Sequence, residues 1–134
     1  MNNVKLDYDC VRDILIALEN HKTLDYDLTT NPILASDLHN SNEDLSGYEF
    51  PELIYCSIKM YEAELVDIVF HNCDGGILDI DFCSITFRGH QYLDNIRTPI
   101  VWSEVKSHFA TKAISMSFDL ILSQAQKIAL SFLH

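Results

Sequence analysis

Four cysteines, at 10, 56, 73 and 83, and six histidines are the residues of this chain best suited to metal binding or nucleophilic chemistry. His71, Cys73 and Cys83 could converge at the base of a β-hairpin, where imidazole and thiolate would suit zinc. The His-x-Cys…Cys spacing is not a structural zinc pattern, however, and it lacks a fourth ligand. Asp25, Asp27 and Thr29 open like a calcium loop, but Thr30 stands where that loop needs glycine and Ser36 where it needs glutamate. A catalytic Cys or Ser needs a base beside it, and no flanking signature supports any pairing. There is no G-x-G-x-x-G, no paired-carboxylate motif and no phosphate loop. Asp74-Gly75-Gly76 is too short and too acidic to cradle an anion. The sequence therefore predicts no catalytic residue, no metal and no cofactor, and the expected protein is not an enzyme.

Charge is the strongest compositional signal. Residues 1–86 carry seventeen acids against Lys5, Arg12, Lys22 and Lys59, a net −13, while residues 87–134 carry +2. A duplex binder clusters Lys and Arg to neutralise phosphates, so the first two thirds of this chain would repel DNA. Such a field serves as a solubilising surface, attracts a basic partner, or imitates nucleic acid to block a protein that binds it. The 134 residues suit a single domain, with a core over 1–86 and a helical extension over 87–134. At 48% apolar and 22% charged the chain can fold on its own core. No apolar run is long enough to span a membrane, and Met1-Asn2-Asn3-Val4-Lys5 does not resemble a signal peptide. Reduced thiols in the cytoplasm are expected.

The elements that must position these residues follow from periodicity. Asp7 caps a helix to about Asn20, with Val11, Ile14, Leu15 and Leu18 at helical spacing. Leu24, Tyr26 and Leu28 alternate with Asp25, Asp27 and Thr29, the period of a short half-buried strand. Asn31 and Pro32 read as cap and first residue of a brief helix to Leu38, and residues 39–49 read as a loop. Pro51 starts a helix to about Glu64. Leu53, Cys56, Met60 and Ala63 lie on one of its faces and Ile54, Ile58 and Tyr61 on another, as in a central helix. Asp74-Gly75-Gly76 joins two β-rich runs into a hairpin, residues 66–85. Thr86, Pro99 and Ser117 then open three more helices. The last bears a stripe of Phe118, Ile121, Leu122, Ala125, Ile128, Ala129 and Phe132, with Leu120, Leu130 and Leu133 beside it.

Helix, strand, helix, helix, hairpin is the connectivity of a winged helix, so the predicted fold is an α+β winged-helix domain with a C-terminal helical extension. A block of specific residues agrees. Thr86-Phe87-Arg88-Gly89-His90-Gln91-Tyr92-Leu93-Asp94-Asn95-Ile96-Arg97, followed by Val101-Trp102, resembles the Thr-x-x-Gly-His-x-Phe-Leu-Asp-x-Ile-Arg and Val-Trp of the YjcQ-like winged-helix proteins. These are small proteins of phages and prophages of Gram-positive bacteria. Leu6-Asp7 with Val11-Arg12-Asp13-Ile14-Leu15 is similar to that family's first helix. Glu64 stands where the family usually has glycine at a helix-to-strand turn, the residue a left-handed cap favours. Within the block, His90 is expected to be a structural residue packing its helix on the wing, and Trp102 a core anchor.

The resemblance implies a phage-type regulator, and it supplies no activity. The expected function is binding of a host or phage protein. The alternatives are a DNA-contacting regulator, disfavoured by charge, and an acidic nucleic-acid mimic. Candidate partner-binding residues are Glu52, Tyr55, Lys59, Glu62 and Glu64 on the third helix and its exit, with Leu120 and Leu130 on the last helix. The stripe on that helix is expected either to pack on Val101, Val105 and Phe109 of its own chain or to support a homodimer through those two leucines.

Overall fold

Residues 4–133 are described by a computed structural model; residues 1–3, where the reading of the N-terminus begins, and His134 lie outside it. In order run α1 (Tyr8–His21), β1 (Ile33–Leu34), α2 (Ala35–Ser41), α3 (Glu43–Ser46), α4 (Phe50–Glu62), β2 (Val66–Cys73), β3 (Gly76–Ile85), α5 (Phe87–Ile96), α6 (Pro99–Lys112) and α7 (Phe118–Ser131). The described residues thus form a mixed α+β protein with seven helices and one three-stranded antiparallel sheet. The chain divides into two compact units, residues 1–89 and 90–134, with the division inside α5.

In the first unit, α1 begins where the sequence places it. Asp7 Oδ1 accepts the amides of Asp9 and Cys10, at 2.9 and 3.3 Å, and satisfies two of the helix's free donors. Val11, Ile14, Leu15 and Leu18 recur every three or four residues, so all four are buried on one face. That face packs on α4, whose Leu53, Cys56 and Met60 are also buried. Ser57 joins them because its hydroxyl donates to the Leu53 carbonyl at 2.7 Å. The second apolar face of α4 is only partly covered: Ile54 and Ile58 are half-buried and Tyr61 is exposed, resting edge-on against Phe70 of β2. The helix is therefore buried on one side and is not wrapped all round.

The hairpin forms as its turn chemistry requires. β2 and β3 pair from Val66 opposite Ile85 to Cys73 opposite Gly76, and Gly75 takes φ 82° in the turn. Ile68, Ile80 and Phe82 alternate into the core. β1 pairs with the other side of β3, Ile33 opposite Phe82 and Leu34 opposite Asp81, so the sheet order is β1-β3-β2.

Three local expectations are corrected. The strand is Ile33–Leu34 and not residues 24–28, which fold back in a tight loop with Leu24, Tyr26 and Leu28 exposed. Asp25 and Asp27 are turn formers and poor strand residues, and here they close turns instead of a ladder. Asn31 caps no helix; its amide donates to Asp25 Oδ2 at 2.7 Å, and Pro32 precedes the strand. The helix that follows is Ala35–Ser41, and its first-turn donors at Ser36 are taken by the Asp79 carboxylate of β3. Residues 39–49, expected as a loop, hold the end of α2 and the single-turn α3, which Asn42 caps through the Asp44 amide.

The exit from α4 is a Schellman turn. Leu65 N–H donates to the Met60 carbonyl at 2.8 Å and Glu64 N–H to that of Tyr61 at 2.9 Å, with Glu64 at φ 65°. Thr86 closes on the same turn. Its amide donates to the Leu65 carbonyl at 3.1 Å and its hydroxyl to that of Glu64, while its Oγ1 accepts the Gly89 amide as the cap of α5. A β-carbon on Gly89 would stand 2.0 Å from the Leu65 carbonyl oxygen and 2.8 Å from Ile85 Cγ2. The Thr-x-x-Gly of the resemblance block is thus a joint between backbone segments.

In the second unit, α6 buries Trp102, Val105 and Phe109 and packs against α7, which buries Ile121, Ala125 and Ile128. Ser117 caps α7 through the Leu120 amide at 3.2 Å, and the rings of Tyr92 and Phe118 meet edge to face. Trp102 is the buried anchor expected of it. His90, by contrast, is exposed, which removes the packing role read for it. Ala129 and Phe132 of the stripe are exposed as well.

Candidate partner-binding surface

Tyr55, Lys59 and Glu62 share one face of α4, as spacings of four and three residues dictate. Lys59 Nζ lies 5.3 Å from the Tyr55 ring centre and 2.9 Å from Glu62 Oε1. The hydrogen bond to Glu62 raises the lysine's pKa, so the ammonium is held charged but already engaged. Glu52 lies one turn earlier, where desolvation, with the nearby charge of Asp7, pushes its carboxyl up. The lysine of this face is thus spent within the helix. The surface it leaves is acidic and aromatic, poorly suited to phosphate.

Glu64 is not on that face. It follows the helix end, where Tyr61, Glu62, Glu64, Val66, Asp67 and Thr86 line an open groove of about 390 Å³. On the hairpin, His71 Nε2 lies 2.8 Å from Asp81 Oδ2, Cys73 is exposed, and burial raises the Cys83 thiol pKa. Among the described residues no group of three or more His, Cys, Asp and Glu is placed to hold a metal ion. No helix among them is long and apolar enough to cross a membrane.

Residues 23–31 form a surface feature that the periodicity misread. Asp25 N–H donates to the Thr29 carbonyl at 3.0 Å, Leu28 N–H to that of Asp25 at 2.9 Å, and Asn31 N–H to that of Thr23 at 2.8 Å. Asp27 Oδ1 accepts the Thr29 amide at 3.0 Å. Leu28 sits at φ 68°, unusual for a residue with a branched side chain. These bonds hold Leu24, Tyr26 and Leu28 in solvent, with relative exposures of 57%, 108% and 77%. The hydrogen bonds from Thr29 lower the Asp27 pKa and keep that carboxylate ionised beside Tyr26. The available sequence signal was the Asp residues themselves, which belong in turns.

In the second unit Leu120 and Leu130 are exposed at 48% and 58%. Leu130 lines an open apolar groove with Asn95, Gln126, Ala129 and Leu133; Leu120 stands outside it. The structure thus gathers Tyr55, Lys59 and Glu62 on α4, sets Glu64 with Glu62 along the groove at the helix exit, and leaves Leu120 outside the groove that Leu130 lines.

Fold and surface together define a small mixed α+β protein that shows acidic and aromatic side chains to solvent. Its residues 5–115 match the family described as "Hypothetical protein (DUF2513)", and the chain belongs to that family. It is also 23% identical over 127 residues to an "Uncharacterized protein" of Haemophilus influenzae, covering 93% of this chain and 95% of that one. No solved structure matches.

Proposed function

We propose that this chain is a non-enzymatic regulatory protein of phage or prophage type, acting in the cytoplasm by binding a protein partner. The observation that carries the proposal is the loop of residues 23–31. It is held by its own hydrogen bonds, and it leaves Tyr26, Leu24 and Leu28 exposed beside the ionised Asp27. Tyrosine on a preorganised loop is a typical interface anchor, because few rotamers are lost when it is buried. The matching partner surface is an apolar socket with a basic rim, and the net −13 of residues 1–86 would steer such a surface in. The likeness of residues 84–106 to YjcQ-like proteins supports the phage or prophage setting. The pairing of β1 with β3 beside a helix-then-hairpin supports reading the first unit as a winged helix. The acidic face of Tyr55, Lys59 and Glu62 is assigned to the same basic partner.

The test is a pull-down from bacterial host lysate with the native chain and with Tyr26→Ser. The captured protein is then purified and titrated against both. A basic protein whose binding weakens at least about tenfold in Tyr26→Ser and falls with added salt is the expected result. Binding indifferent to Tyr26, or recovery of DNA alone, would overturn the proposal.

A further inference from the structure

Cys10 and Cys56 are the two buried thiols of the chain, each with no exposed surface, on helices that pack face to face. Asp7 links them: its Oδ1 accepts the Cys10 amide at 3.3 Å, and the neighbouring thiols shift one another, Cys10 upward and Cys56 downward. Asp7 N–H donates to Cys56 Sγ at 3.4 Å, and the carbonyls of Asp7 and Lys5 lie 3.8 and 4.0 Å from that sulfur. The Cys56 thiol is therefore roofed by the irregular stretch before α1, in which Val4 and Lys5 are exposed. Cys10 sits in the first turn of α1, its own amide held by Asp7. Two buried thiols on packed helices, an amide donor aimed at one sulfur and a short covering segment are the parts of a redox site.

We propose that Cys10 and Cys56 are a reversible dithiol–disulfide modification site, oxidised by a peroxide to a cross-link between α1 and α4. Residues 4–7, irregular and with Val4 and Lys5 exposed, open locally and admit the oxidant. The Cys56 thiolate attacks one peroxide oxygen, the O–O bond breaks, and with one proton taken up the products are a Cys56 sulfenic acid and water. The Cys10 sulfur then attacks the Cys56 sulfur and displaces hydroxide, which leaves as water with the proton from Cys10. The two thiols are oxidised together by two electrons, and the peroxide is reduced to two waters. The order of roles follows from these shifts: the neighbouring Cys10 thiol and the Asp7 amide stabilise charge on Cys56, lowering its pKa and raising that of Cys10. Cys73 and Cys83 are not placed to compete for this pairing, since they lie on the hairpin with Cys73 exposed and Cys83 half-buried beside Asp81.

The test uses the full chain carrying Cys73→Ser and Cys83→Ser, so that no core residue is altered. It is titrated with hydrogen peroxide, and thiols are then counted by alkylation and mass under denaturing conditions. The expected product is a monomer lighter by two hydrogen atoms, with a peptide joining Cys10 to Cys56. It melts at least about 5 °C higher than the reduced form and returns to it with dithiothreitol. A further Cys10→Ser substitution is expected to leave a Cys56 sulfenic acid that dimedone labels. Two intact thiols at peroxide levels that oxidise Cys73 in the native chain, a sulfinic acid in place of the cross-link, or disulfide-linked dimers would overturn the proposal.

Discussion

Glu64 and Gly89 show opposite demands on a backbone at one joint. Glu64 holds φ 65° to complete the turn after α4, a conformation that costs a residue bearing a β-carbon about 1 kcal/mol. Gly89 has an ordinary backbone but no room, because the Leu65 carbonyl occupies the place of a side chain. Glu64→Gly is therefore expected to raise stability by about 0.5–1 kcal/mol, the strain relief exceeding the added freedom of the unfolded chain. Gly89→Ala is expected to lower it by about 2–3 kcal/mol through overpacking. Urea denaturation of both variants measures this, and a loss of stability in Glu64→Gly would show that its carboxylate does more than tolerate the turn. The Thr-x-x-Gly motif was legible as a motif. That its glycine serves a carbonyl twenty-four residues earlier was not, because no local pattern encodes that approach.

Among the elements, α1, α5 and α7 were legible through their own caps: Asp7, Thr86 and Ser117 each satisfy an amide three residues ahead, which a sequence displays directly. Asn42 caps α3 in the same way, but a single turn carries too little periodicity to be read as a helix. α2 has no such residue; Asp79, forty-three positions away on β3, takes the donors of Ser36. The start of α2 and the strand before it were accordingly misplaced. α7 raises a different question, since Ile121, Ala125 and Ile128 are buried while Leu120, Leu130, Phe132 and Leu133 remain in solvent. So much apolar surface on one helix is expected to pair across a two-fold axis. Light scattering of the native chain is expected to give twice 15.3 kDa, falling to the monomer in Leu120→Glu/Leu130→Glu with helicity kept. A monomeric native mass at high concentration would sink the dimer.

For the whole molecule, charge decides which partners can approach. The net −13 of residues 1–86 is accompanied by a lysine on α4 already paired with Glu62, so few cations remain for phosphates there. A random DNA duplex is expected not to be retained even at about 50 mM salt, where electrostatic binding is strongest. Filter retention or fluorescence anisotropy reads this. Tight binding that collapses by about 200 mM would instead favour a DNA-contacting regulator.

Composition and periodicity alone determined the acidic field, the mixed α+β content, the helices of α1, α4, α6 and α7 and the hairpin, because each depends on residues within a few positions of one another. Tertiary structure alone decided the rest. The same alternation of apolar and polar residues at 24–28 would suit a strand or an exposed loop, and only the partner available to β3 selects between them; Ile33 and Leu34 take that place. Pairing Cys10 with Cys56 likewise requires α1 to lie on α4, a contact that no spacing along the chain specifies.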